Sequence, residues 1–144
     1  MLSILHHSSF IFFKLKIVFF DGYCPMCNAW IKRLLKWDRK KQFHFAPLDS
    51  ETAKRLLAPG FPDYVKEDTV IYYKEGKIFL RSSAVIEISK ELPLPYNLLP
   101  ALKLVPEKWL NALYDHIAGN RYQYGERFEA CPLPPSEWRE RFLD

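Results

Sequence analysis

The sequence predicts an α/β sandwich in the order β-α-β-α-β-β-α, with an added helical extension towards its C-terminal end. Three observations carry that expectation. The apolar run Ile17-Val18-Phe19-Phe20 stops at Asp21-Gly22 and gives way to helical periodicity. Two β-type runs, Thr69 to Tyr73 and Ile78 to Leu80, flank Lys74-Glu75-Gly76-Lys77, a hairpin connection with a glycine available for positive φ. Further helix signals come after each of the remaining strand-like segments.

Lys14 to Phe20 reads as the first strand, continuously apolar at its centre, as for a strand covered on both faces. A helix from about Pro25 to Arg39 places Cys27, Trp30, Ile31, Leu34 and Leu35 at i, i+3, i+4, i+7 and i+8, the spacing of one buried stripe. Pro25 suits its first turn, where a missing N–H costs nothing. Gln42 to Pro47 is the second strand, with Phe43 and Phe45 on one face and His44 on the other. A helix over about Ser50 to Ala58 is capped by Asp49 or Ser50 and stopped by Pro59-Gly60-Phe61-Pro62. The two hairpin strands come next. Ser82 or Ser83 then caps a helix through about Glu91, with Ala84, Val85, Ile86 and Ile88 partly buried. This succession is the thioredoxin arrangement, with helices on both faces of the sheet.

The chain continues past that fold. Asn97 caps a short helix containing Pro100, and Pro106 opens another that runs to about Ala118, with Trp109, Leu110, Leu113 and Ile117 as its apolar stripe. An extended tail comes last. Residues 14–144 read as one domain that includes the helices of about 97–119. Residues 1–13 read as an appended arm or a misassigned start.

Composition narrows the function classes. A chain of 144 residues with 49% hydrophobic residues can bury a sizeable core. A net charge of +4 does not call for nucleic acid. The basic residues Lys32, Arg33, Lys36, Arg39, Lys40 and Lys41 have no interleaved aromatic residues for stacking on bases, so they read as a solvated helix face. The run Phe10-Ile11-Phe12-Phe13 is far short of the ~20 apolar residues that span a bilayer, so no stable membrane insertion is expected. Three cysteines, one pair of them close, suit a reducing compartment and a cytoplasmic location.

The chemistry gathers at Cys24 and Cys27. A strand, a tight turn and Cys-x-x-Cys at a helix start make a reactive dithiol. Cys27 belongs to the buried stripe. Cys24 sits one turn earlier, where free backbone N–H groups and the helix dipole favour an anion. Cys24 is therefore expected to be the attacking thiolate, and Cys27 the sheltered resolving thiol that closes a Cys24–Cys27 bridge. The helix lysines do not activate Cys24, because Lys36 lies twelve residues on, about 18 Å along a helix, beyond a Debye length of about 8 Å. Asp21 is either a base that takes a proton from Cys27 or a turn former that accepts local N–H groups. Tyr23, Pro25 and Met26 would line the contact surface. No cofactor is expected. The partner is a dithiol or disulfide of unknown identity.

The segment Asp21-Gly22-Tyr23-Cys24-Pro25-Met26-Cys27 resembles the Asp-x-x-Cys-x-x-Cys signature of the DCC family of thiol-disulfide oxidoreductases. Ala46-Pro47-Leu48 with Ser50, Arg81-Ser82-Ser83-Ala84, and Asn120-Arg121-Tyr122 with Cys131-Pro132 are looser matches, and the resemblance spans about residues 16–134. It implies a thioredoxin-like fold and dithiol redox chemistry. It supplies no substrate. The chain departs from the thioredoxin pattern in one respect. Those proteins place a cis-proline before the third strand, facing the dithiol, and here Asp68 aligns with it. A carboxylate there disfavours a nearby thiolate, and loss of the proline reshapes the substrate groove, which leaves room for a narrower substrate.

Two rival readings stay open. Cys24, Cys27 and Cys131 with His44 or His116 would make a closed Cys3His zinc set, although a second close ligand pair is missing. A redox-inactive interaction module, with the basic helix binding a partner, is the other. Cys131 is either a third redox thiol or a packed small hydrophobe.

Overall fold

A computed structural model describes residues 15–62, 64, 70–93, 96–119 and 136–143. Residues 1–13, Asp68 and Cys131 lie outside the described residues, so the expectations that fall on them concern that part of the chain.

The fold is the thioredoxin-like α/β arrangement. Its elements are β1 (Lys16–Phe20), α1 (Pro25–Trp37), β2 (Phe43–Pro47), α2 (Glu51–Leu57), β3 (Ile71–Lys74), β4 (Lys77–Leu80) and α3 (Arg81–Ser89). A 3-10 helix (Tyr96–Leu104), α4 (Glu107–Gly119) and a second 3-10 helix (Ser136–Arg141) come after them. The sheet order is β2-β1-β3-β4, with β1 parallel to β2 and antiparallel to β3. The hairpin closes through Glu75 at φ 51° and Gly76 at φ 81°, two positive values that match the right-handed twist of the strands.

The unbroken apolar run of β1 feeds two cores. Val18 and Phe20 face Ile31, Leu34 and Leu35 of α1 and Ala84 and Ile88 of α3. Ile17 and Phe19 face Ala53 and Leu57 of α2. Alternation sends successive side chains to opposite faces, and helices on both sides make every position apolar. Phe20 pairs with Pro47, Phe19 with Ile71, and Ile71 with Leu80. The ends of β1, β2 and β4 and the start of β3 therefore meet at one end of the sheet, where Cys24 and Cys27 come directly after β1.

Several expectations change. Helix α1 ends at Trp37, because Asp38 takes the C-cap and donates its N–H to Leu34 O at 2.9 Å. Ser50 does cap α2, accepting the Ala53 N–H at 3.2 Å. Neither Ser82 nor Ser83 caps α3. Leu80 holds the cap position without a side-chain bond, and the chain turns at Arg81 with φ 52°, so no residue is left between strand and helix. Ser82 instead donates to Asn111 Oδ1 of α4. The short helix near Asn97 is a 3-10 helix that already includes Tyr96.

Of the stripe on α4 only Leu110 is half-buried, against the cavity beside α3. Trp109, Leu113 and Ile117 are 63%, 58% and 51% exposed. The helix packs instead through a more polar side, where the Val70 N–H donates to the Tyr114 hydroxyl at 3.2 Å and Arg81 pairs with Asp115 at 3.6 Å. The segments 121–125 and 130–135, read as an extended tail, lie outside the described residues, and past them Ser136–Arg141 is a 3-10 helix. Within the Ser136–Arg141 helix Arg141 is buried, ion-paired with Asp38 and donating Nε–H to Phe43 O at 3.1 Å. Leu143 N–H then bonds Phe45 O at 2.7 Å, beside a parallel bridge between Phe45 and Phe142. No helix among the described residues is long and apolar enough to cross a membrane.

Candidate functional site

The turn after β1 is built by its own backbone. Asp21 Oδ1 accepts the Tyr23 N–H at 3.0 Å, and Asp21 O accepts the Cys24 N–H at 3.2 Å. This is an Asx turn, the local work for which short carboxylates are suited. Cys24 emerges from it with extended backbone, φ −89° and ψ 119°, and occupies the N-cap of α1. Its Sγ accepts the Cys27 N–H at 3.4 Å. A cap side chain satisfies an N–H that the helix itself leaves without a partner, so the sulfur sits where negative charge is favoured. No disulfide joins the two cysteines.

Four further hydrogen bonds fix the turn, none of them among the sequence expectations. Asn28 Nδ2 donates to Gly22 O at 2.7 Å and to Cys24 O at 2.9 Å. The Tyr23 hydroxyl donates to Asp49 Oδ2 at 3.0 Å, and the Leu48 N–H to Phe20 O at 2.9 Å, so the loop after β2 is tied to the dithiol loop. Asn28 had one legible signal: it stands four residues after Cys24, one helical turn away. Asp49 had none, because 26 residues separate it from Tyr23.

The structure brings Asp21, Tyr23, Cys24, Pro25, Met26 and Cys27 together. The expected contrast in burial is absent. Cys27 is 7% exposed, while Cys24 has 0% exposure. The helix stripe identified Cys27 as interior, but the turn carries Cys24 inward as well. Tyr23, Pro25 and Met26 are half-buried around them.

His44, one histidine of the zinc alternative, lies elsewhere. It pairs with Ile17, three residues before the Phe20 end of β1 and about 10 Å along the strand. Burial lowers its pKa, and the Arg141 guanidinium lowers it further against the opposing pull of Asp38. Among the described residues no three His, Cys, Asp or Glu side chains gather as a metal set. A cavity of about 290 Å³ lies between α3, the Tyr96–Leu104 helix and α4, with Ser82, Ser83, Glu87 and Lys103 among its walls.

A family model and one relative carry the same family description. A model described as DCC1-like thiol-disulfide oxidoreductase matches residues 18–127. An uncharacterized Bacillus subtilis protein, YuxK, is 29% identical over 128 residues, covering 89% of this chain and 93% of that protein. A chloroplastic DCC family protein of Arabidopsis thaliana is 32% identical over 123 residues, covering 83% of this chain and 70% of that protein. No solved structure matches the chain.

Proposed function

The chain belongs to the DCC1-like thiol-disulfide oxidoreductase family, and on that footing we propose that Cys24 and Cys27 form a redox pair that exchanges electrons with a disulfide or dithiol partner. The observation that carries this reading is the position of Cys24 Sγ at the helix cap, accepting the Cys27 N–H.

In the reducing direction the Cys24 thiolate attacks one sulfur of the substrate disulfide. The substrate S–S bond breaks, a Cys24–substrate disulfide forms, and the first substrate thiolate leaves. Cys27 loses its proton and attacks Cys24 Sγ. The intermolecular bond breaks, the second substrate thiolate leaves, and solvent protonates both. Two electrons have passed to the substrate and the protein holds a Cys24–Cys27 disulfide. The reverse sequence oxidises a dithiol. Because Cys24 has no exposed surface, attack proceeds through an opened form of the turn. Asp21 forms that turn and presents Cys24, while Tyr23, Pro25 and Met26 meet the substrate. Cys131 and Asp68 carry no step in this scheme. The low cysteine count fits work in a reducing, cytoplasmic setting.

A redox-buffer titration tests the proposal. One two-electron couple is expected, between about −270 and −120 mV, lost in Cys24→Ser and in Cys27→Ser. Cys27→Ser should trap the mixed disulfide, and Cys24→Ser should not. Asp21→Asn, which keeps the turn acceptor, should retain exchange within about twofold, as for a turn former and not a base. Absence of a couple, or trapping by Cys24→Ser alone, sinks the assignment.

A further inference from the structure

The outer face of α1 carries a charge pattern that the redox chemistry does not use. Cys27, Ile31, Leu34 and Leu35 point inward. Ala29, Lys32, Arg33 and Lys36 form the opposite, exposed stripe, and the exposed Arg39, Lys40 and Lys41 lie just past the helix end. Residues 32–41 hold six of the chain's 21 basic residues and one of its 17 acidic ones, so the rest of the chain is net negative by one. The whole positive charge of the protein thus resides here. The single acid, Asp38, is buried and committed to Arg141.

Lys32, Arg33 and Lys36 make no ion pair among the described residues. Elsewhere Lys16, Lys54, Lys74, Lys90 and Lys103 all pair with carboxylates. Lys36 and the basic residues after it complement the helix dipole. Lys32 and Arg33 do not, and Lys32–Lys36 and Arg33–Lys36 are like-charge pairs at the spacings that oppose helix formation. Local stability gives no reason for them.

We infer that this face of α1 is the docking surface for an acidic protein partner whose disulfide or dithiol exchanges with Cys24. The inference rests on the redox reading above. A carboxylate-rich protein fits better than nucleic acid or lipid. The stripe carries no ring to stack on a base and no large apolar side chain to enter a bilayer, since Trp30 and Trp37 pack against the core. Lys32 and Lys36 lie about 12 and 18 Å along the helix from Cys24. A standard protein footprint of ~800 Å² is about 30 Å across, long enough to reach from the patch to the dithiol end of α1. The charges act on the partner's approach, in which steering raises association rates by about ten- to a thousandfold.

The test uses the full chain and three short peptide disulfides of one design, rich in Glu, Gln or Lys. The Glu disulfide should oxidise the dithiol at least about tenfold faster than the Gln disulfide at about 20 mM salt, and the advantage should vanish at about 500 mM. In the Lys32→Glu/Arg33→Glu/Lys36→Glu variant the Lys disulfide should become the fastest, with the Gln rate unchanged. Equal Glu and Gln rates in the parent protein overturn the docking surface alone. A dithiol inert to all three overturns the redox reading and the surface with it. Tighter binding of a single-stranded oligonucleotide or of phosphatidylserine vesicles than of the Glu peptide also overturns it, in favour of nucleic acid or lipid.

Discussion

Asn28 shows how little separates a helical residue from a site residue. One amide nitrogen bonds two carbonyls, those of Gly22 and Cys24, and so pins the turn to the first turn of α1. Asn is a poor residue for a helix interior unless its side chain has backbone work to do. Asn28→Ala should cost about 1–2 kcal/mol, the net worth of two hydrogen bonds, read from the denaturant midpoint. It should also speed disulfide exchange about tenfold, because the turn that covers Cys24 opens more readily once the same ~1–2 kcal/mol no longer holds it closed. An unchanged exchange rate with the stability loss intact would make Asn28 purely structural. The stripe spacing was enough to identify Cys27 as interior. The burial of Cys24 was not legible, since it depends on the Tyr23–Asp49 and Leu48–Phe20 bonds, which join segments distant in sequence.

The strands and the first three helices were legible because each carries its own period, cap or turn. The segments beyond α3 were less so, for a physical reason. Amphipathicity marks an apolar face but does not say whether a partner exists for it. On α4 Glu107, Asn111, Tyr114 and Asp115 are among the residues that find partners, while Trp109, Leu113 and Ile117 of the apolar stripe stay exposed. The end of the chain is harder still, because one of its anchors is a single charge. Arg141 reaches the Asp38 carboxylate, which also accepts the Phe43 N–H at 2.9 Å, and its guanidinium lies 5.5 Å from the Phe45 ring centroid. This joins the end of α1, the start of β2 and the final 3-10 helix. Arg141→Met should destabilise the protein by about 3–5 kcal/mol in chemical denaturation, because it leaves Asp38 buried without its partner. Replacing both members, as Asp38→Leu/Arg141→Met, should recover part of that loss, though the Phe43 N–H would still lack its acceptor. A mild effect of Arg141→Met alone would show that the terminal helix is held by Phe142 and its rings.

Across the molecule, Glu91 and His44 are two of the groups that shape its response to acid. Glu91, just past α3, bridges Lys16 of β1 and Lys74 of β3, each at 2.9 Å. Burial raises the Glu91 pKa, but hydrogen bonds from Lys74 and Lys16 and their charges outweigh it, and the net shift is downward. His44 is shifted downward by burial and by Arg141. For a group whose folded pKa is depressed, the unfolded chain binds protons first, so stability falls as pH falls. His44 therefore contributes fully above its ordinary value of 6.5 and progressively less below it. Glu91 does the same from 4.5 downward. Denaturant midpoints across this range should show a two-step decline. His44→Asn should remove the upper step and leave the lower one. Glu91→Gln should lower stability by about 1 kcal/mol at neutral pH and flatten the lower step, since its ion pairs are only partly buried. A single decline confined below pH 4.5 in the parent protein would show that His44 takes its proton without cost, and that its burial beside Arg141 is relieved before the fold gives way.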